Sequence, residues 1–205
     1  MDYTTFLELV STRRSVREFA DRRVERPEVE RLIDAARWAP SNHNRQGWKF
    51  LVLEDRGRLR ELAGEIRSGL SERLHPSPRV PASEVEQLIR HATVFADAPC
   101  VILAMHKRPA AVGRELLAGE DLPELVSGEA LSTAMAVQNV LLAAHTRGLG
   151  ACVMTAPLLA AETWKDRLDL PQGFEPTCVI AVGYPSRPAG TPPRRKPLQQ
   201  VLEYR

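Results

Sequence analysis

Most of the signatures that announce an activity are missing from this chain of 205 residues. There is no G-x-S-x-G, no Walker A and no G-x-G-x-x-G, so neither a nucleophile elbow nor a familiar phosphate loop is present. His43, His75, His91, His106 and His145 are scattered, without H-E-x-x-H or other ligand spacing, and no metal is expected. Cysteine is scarce. Cys100, Cys152 and Cys178 each sit in an apolar, strand-like run, and there is no C-x-x-C. An odd number of such thiols fits packing roles in a reducing cytoplasm. The longest apolar run, near Ala134 to Ala144, is too short and too polar to span a bilayer. Asp2 and Glu8 interrupt the first apolar pattern, which does not read as a secretory signal. Net charge is only +2, and the basic clusters lack interleaved aromatics; both argue against nucleic acid. The expectation is a cytoplasmic protein that engages neither membrane nor nucleic acid. An enzyme with no nucleophile, metal site or acid–base pair most often borrows its chemistry from a cofactor.

What the chain does have is basic clusters near both ends. With 43% hydrophobic residues and this length, one core and one domain over residues 1–205 are expected. Ser11-Thr12-Arg13-Arg14-Ser15-Val16-Arg17 follows an amphipathic segment. Its arginines can meet the last free carbonyls of a helix, or they can close on an anion with Ser15. Pro193-Arg194-Arg195-Lys196-Pro197 supplies the second cluster. One anion held from both ends of the chain would account for the pair.

The periodicity predicts helices over 2–12 and from Glu25-Arg26-Pro27-Glu28 to Trp38, where Pro40 closes off helical space. Pro40-Ser41-Asn42-His43-Asn44-Arg45-Gln46-Gly47-Trp48 is either an Asx-rich turn or a loop whose amides meet the edge of a planar ligand. A strand over 49–53 follows, then a helix over 58–74, a proline-rich connector, and a helix over 83–91 with Ser83 and Glu86 as a capping box. Residues 99–105 read as a central strand. Residues 107–127, weakly patterned, read as a flap or an insertion. The helix over 129–147 is apolar around most of its circumference and should be buried on nearly every side, with Gln138 and Asn139 finding partners there. Strands over 151–154 and 177–182 flank a helix over 158–168. From residue 185 a Pro- and Gly-rich arm runs to an apolar tip, Leu198, Val201, Leu202 and Tyr204, placed to dock on a partner subunit.

Five segments, taken together, resemble the nitroreductase family of FMN-dependent flavoproteins: R-R-S-V-R at Arg13–Arg17, A-R-W-A-P-S-N-H-N-R-Q-G-W at Ala36–Trp48, A-V-Q-N-V-L-L-A-A-H-T-R-G-L-G at Ala136–Gly150, G-Y-P at Gly183, and R-R-K-P-L near the end. The resemblance spans nearly the whole chain. It implies an α+β fold with a mostly antiparallel sheet surrounded by helices. It also implies a homodimer with two FMN sites at the interface and a domain-swapped C-terminal arm over 185–205. Arg13, Arg14, Ser15 and Arg17 match the first flavin segment, which reaches phosphate, ribityl and pyrimidine edge. Arg195, aided by Arg194, matches the C-terminal phosphate ligand. Pro40, Ser41 and Asn42 match the loop that contacts flavin from the other subunit, with Asn44 and Gln46 ordering it. Met154, Thr155 and Ala156 match the turn whose backbone N–H faces flavin N5. No side chain is expected to be catalytic, since the flavin N5 carries the chemistry. Ala156 stands where many relatives have glycine, and Gly47 where a proline is usual.

The implied activity is reduction of nitroaromatic, quinone or related small-molecule acceptors by hydride transfer from NADH or NADPH, in ping-pong fashion, with residues 107–127 and His43 shaping acceptor choice. Other readings stay open. The Ala36–Gln46 stretch also resembles the flavin domain attached to deazaflavin ligases, which serves a cofactor pathway. A further relative consumes its own flavin to make dimethylbenzimidazole. A non-enzymatic FMN-binding dimer is a different class again.

Overall fold

The computed structural model describes residues 2–108, 128–188 and 190–205. Apart from Lys107 and Arg108, the stretch 107–127 therefore lies outside the described residues. The order of elements is α1 (Tyr3–Thr12), α2 (Arg26–Ala36), β1 (Trp48–Leu53), α3 (Arg56–Arg73), α4 (Ala82–Thr93), β2 (Cys100–Lys107), α5 (Gly128–Thr146), β3 (Gly150–Met154), α6 (Ala161–Leu168) and β4 (Phe174–Gly183). The four strands form one sheet in the order β1-β2-β4-β3, antiparallel at every pairing. This is the expected α+β class with an antiparallel sheet.

Alternation along β2 builds a core on each face of the sheet. Val101, Leu103 and Met105 pack towards α3, α4 and α6, around Leu59, Ile66, Phe95 and Trp164. Cys100, Ile102 and Ala104 pack towards α2 and α5, around Leu32, Ala136 and Val140. Trp164 is fully buried, and its indole N–H donates to the Pro157 carbonyl at 3.0 Å, so the largest side chain of the core carries no unmet donor. A bulge opens between Ala104 and Met105, where Met105 pairs with Pro176 and Thr177 is the extra residue. It places a proline inside a strand without breaking a ladder bond.

All three thiols are free and buried. Burial pushes Cys100 and Cys178 from the ordinary 9.0 up to about 12. A thiol whose folded pKa is raised stabilises the fold below the unfolded value and loses that contribution as pH climbs through the folded one. Stability should therefore be insensitive to these groups below about pH 9 and fall between 9 and 12. Iodoacetamide at neutral pH should leave all three unmodified in the native protein and label them once it is unfolded in denaturant.

Two expectations are corrected. The capping box at Ser83 does not form: Pro81 takes the N-cap position, with no side-chain cap, because the proline's fixed φ already starts the turn one residue earlier. Nor is α5 enclosed. Leu131 is 60% exposed and Met135 42%, and Gln138 lies on the same exposed stripe at i, i+4 and i+7. Asn139, by contrast, donates to the Ala35 carbonyl at 3.2 Å, as a half-buried amide must. Tyr3, Phe6 and Leu7 of α1 are exposed as well, and so are Leu198, Val201, Leu202 and Tyr204 on the arm.

Candidate functional site

After α1 the chain becomes extended and runs beside β3. Ser15 bridges Ala151 in parallel, and the Val16 N–H donates to the Ala151 carbonyl at 3.1 Å. An extended ribbon alternates its side chains between two sides. On one side Val16 sits directly on Gly150, where a Cβ would come within 2.5 Å of the valine's own Cβ, so glycine is what admits the ribbon to the strand. Arg14 shares that side and folds back: Nη1 donates to the Ser11 carbonyl at 2.6 Å and to the Arg13 carbonyl at 2.7 Å. The helix-end reading of the cluster is thus realised by Arg14. Its Nε is buried with no hydrogen-bond partner among the described residues.

Ser15 and Arg17 alternate to the other side, and Arg13 stands where the ribbon leaves α1. Their side chains make no hydrogen bond or ion pair among the described residues. Burial pushes the Cys152 thiol up, and the charges of Arg17 and Arg13 pull it down by less. A cavity of about 240 Å3 is bounded by residues 14–18 and closed by Arg187, Pro188 and Gly190. Glu18 and Arg187 pair across it at 2.5 Å. Neither Arg187 nor Glu18 carried a signal in the sequence, since each reads as an ordinary surface charge. Arg194 and Arg195 are exposed on the arm, and neither lines this cavity.

Met154, Thr155 and Ala156 follow where β3 ends, buried, exposed and half-buried in turn. The loop over 41–46 lies elsewhere, at the start of α5. The Asn42 N–H donates to Ser132 Oγ at 3.0 Å. Gln46 N–H donates to Ser41 Oγ at 3.0 Å, and Gln46 Nε2 to Asn44 Oδ1 at 3.3 Å. Arg45 reaches the buried Glu129 at 3.4 Å. His43, Asn44 and Gln46 all have positive φ, 49°, 52° and 48°, a left-handed conformation that costs on the order of 1–3 kcal/mol at a non-glycine residue and concentrates at functional positions. Pro40 is exposed beside it. Gln46→Gly should raise thermal stability by up to about 1 kcal/mol in an unfolding titration while weakening any function that needs the loop held.

The arginine ribbon meets the opposite end of α5, where Thr12 Oγ1 and His145 Nε2 are 2.9 Å apart. Ser132 and His145 are thirteen residues apart on α5, roughly 20 Å at the helical rise. One chain thus presents two separate parts of a site. The donor set fits a phosphorylated planar ligand such as FMN: guanidinium groups and a hydroxyl beside β3 with no partner among the described residues, a buried Arg14 Nε likewise without one, and a close approach kept open by glycine. Among the described residues no cluster of His, Cys, Asp and Glu could hold a metal, and no helix is long and apolar enough to cross a membrane.

The solved structures agree on the fold. A BluB-like flavoprotein from Clostridium difficile 630 matches with a TM-score of 0.77 at 21% identity, over 100% of this chain and 99% of that one. A nitroreductase with bound FMN from Desulfitobacterium hafniense DCB-2 matches with a TM-score of 0.71 at 21% identity, over 100% and 99%. In sequence, a Methanothermobacter thermautotrophicus protein named "Putative NADH dehydrogenase/NAD(P)H nitroreductase" is 28% identical over 188 residues, 90% of this chain and 80% of that protein. The model of the nitroreductase family matches residues 10–184, from the last residues of α1 to the residue after β4. The chain belongs to the nitroreductase family.

Proposed function

We propose that this protein is an FMN-dependent oxidoreductase that takes electrons from NADH or NADPH and reduces nitroaromatic, quinone or related small acceptors by ping-pong turnover, in the cytoplasm and as a homodimer. The observation that carries the reading is the ribbon at β3, whose Arg13, Ser15 and Arg17 side chains have no hydrogen-bond or ion-pair partner among the described residues. When bound, FMN supplies hydride acceptance and release at N5. The chain's own residues bind and tune. Arg13, with Arg195 and Arg194 from the arm and the buried donor of Arg14, balances the phosphate charge. Ser15 offers a hydroxyl to the ribityl or pyrimidine edge. Arg17 fixes a positive charge where electron density accumulates on reduction, and a preorganised cation there favours the reduced form. The backbone at Thr155 and Ala156, with Met154 behind it, orients the ring.

Two observations support a site shared between two copies. The loop carrying Pro40, Ser41 and Asn42 stands at the far end of α5 from the arginines, so a second copy is the economical source of it. The exposed apolar residues of α1 and α5 supply a surface for that copy, and the arm's apolar tip another. Purified protein should absorb in the flavin bands and oxidise NADH or NADPH when a quinone or nitroarene is added. A colourless protein that takes up no added FMN would overturn the reading. Arg17→Gln should lower the flavin midpoint potential by about 30 mV, the equivalent of ~1.4 kcal/mol for a two-electron couple, read by spectroelectrochemistry.

A further inference from the structure

A second cavity, of about 210 Å3, is lined by Arg13, Arg14 and Val16 of the ribbon together with Gly150 and Ala151 of β3. Its polar wall is Arg13, Arg14 and His145; Val16, Leu141 and Leu149 line much of the rest. Among the described residues no carboxylate lines it. We propose that this cavity is a phosphoryl-binding subsite in which His145 is a direct ligand beside Arg13 and Arg14. The inference rests on the reading of the ribbon as a phosphate-binding device but not on any redox activity.

The hydrogen bonds around His145 fix what it can offer. Thr12 Oγ1 gives its single proton to the Glu8 carbonyl at 2.7 Å. It can therefore only accept at 2.9 Å from His145, whose Nε2 must carry the proton. That leaves Nδ1 as the uncommitted ring nitrogen. An imidazolium donates from both ring nitrogens, and the Thr12 contact already holds this ring in place. Arg14 is anchored in the same manner, with Nη1 spent on Ser11 and Arg13 and its buried Nε unspent. A buried donor without an acceptor is costly to leave unmet, and an anion oxygen is the acceptor it suits.

The helix ends beside the cavity do not oppose this. The C-terminus of α5 carries partial negative charge, but three of its last carbonyls are already taken. Those of Ala143 and Ala144 accept from Arg147 N–H, Ala144 also from Leu149 N–H, and His145 from Gly148 N–H. The last carbonyls of α1 receive Thr12 Oγ1 and Arg14 Nη1. What faces the cavity is therefore net cationic. A phosphate monoester fits that chemistry, and two sources could deliver it: the phosphate of the bound flavin, or a free phosphoryl group binding beside it.

Three forms of the protein separate these outcomes: wild type, His145→Leu and His145→Gln. Gln keeps an N–H for Thr12 but presents a carbonyl where the imidazole can become cationic, and thermal unfolding checks that both variants fold. Each is titrated with FMN and with riboflavin, and the FMN-loaded form with inorganic phosphate by calorimetry. If the cavity takes the flavin phosphate, both variants lose about ten-fold or more of the preference for FMN over riboflavin, as expected for loss of a charge-assisted contact. If it takes a free phosphoryl group, that preference is kept, while FMN-loaded wild type binds phosphate and both variants bind it at least ten-fold more weakly. Folded variants that match wild type in both measurements overturn the subsite. A wild type that binds neither FMN nor phosphate overturns the flavin reading along with it.

Discussion

Arg195→Ala is expected to yield a folded protein that purifies largely without flavin colour. A phosphate monoester carries close to two negative charges at neutral pH, and two or three guanidinium groups are needed to hold it away from water. Removing one from a desolvated site costs about 2–4 kcal/mol, which weakens binding by roughly 30- to 1,000-fold. Arg195 is exposed in the chain and has no hydrogen bond or ion pair among the described residues, so its loss should leave the fold intact. Far-ultraviolet circular dichroism tests that part, and the ratio of flavin to protein absorbance tests the other. Full stoichiometric FMN in this variant would remove Arg195 from the site. Arg194→Ala, which alters only a supporting charge, should retain more colour.

Gly150→Ala is expected to weaken FMN binding by an order of magnitude or more and to lower the unfolding temperature by several degrees. The new Cβ would lie 2.5 Å from Val16 Cβ and 2.7 Å from both of its Cγ atoms. These atoms sit next to the backbone and cannot swing aside, so the ribbon itself must move. Overpacking of this kind costs about 1–3 kcal/mol, or roughly 2–4 °C per kcal/mol in a chain of this size. The ribbon that moves carries Arg13, Ser15 and Arg17, and the Val16–Ala151 hydrogen bond is the first contact to stretch. Gly64→Ala on α3 is the control. Its Cβ meets nothing within 4 Å, and replacing glycine in a helix should stabilise by about 0.5–1 kcal/mol.

Much of this was legible in the sequence because it depended on local patterns. The α2 stripe of Val29, Leu32 and Ala36 is buried as its period requires, and the three cysteines sit in strands as their apolar neighbours suggested. The antiparallel sheet came from resemblance, since short apolar runs do not state their pairing direction. What stayed illegible was non-local. The helix-end reading of the arginine cluster holds for Arg14, and only the course of the extended ribbon separates it from Arg13 and Arg17, whose side chains have no partner among the described residues. His145 reads as one of five scattered histidines in the sequence, because its partner, Thr12, lies far from it along the chain. The left-handed run at His43, Asn44 and Gln46 could not be anticipated either, because none of these is a glycine. The stripe of Leu131 and Met135 is exposed where the sequence suggests core, because an apolar face reads the same in sequence whether it is covered or not.

Subunit mixing tests the shared site most directly. Arg13→Ala removes the arginine side of a site, and Asn42→Trp, at an exposed position, blocks the loop side. If each site takes its arginines from one copy and its loop from the other, both variants alone should be nearly colourless. Co-expressed, they should form mixed pairs in which one site carries both defects and the other neither, so that flavin binding and NAD(P)H oxidation return in part. No recovery in mixed pairs shown to have assembled, or a monomer that binds FMN in full, would contradict the account.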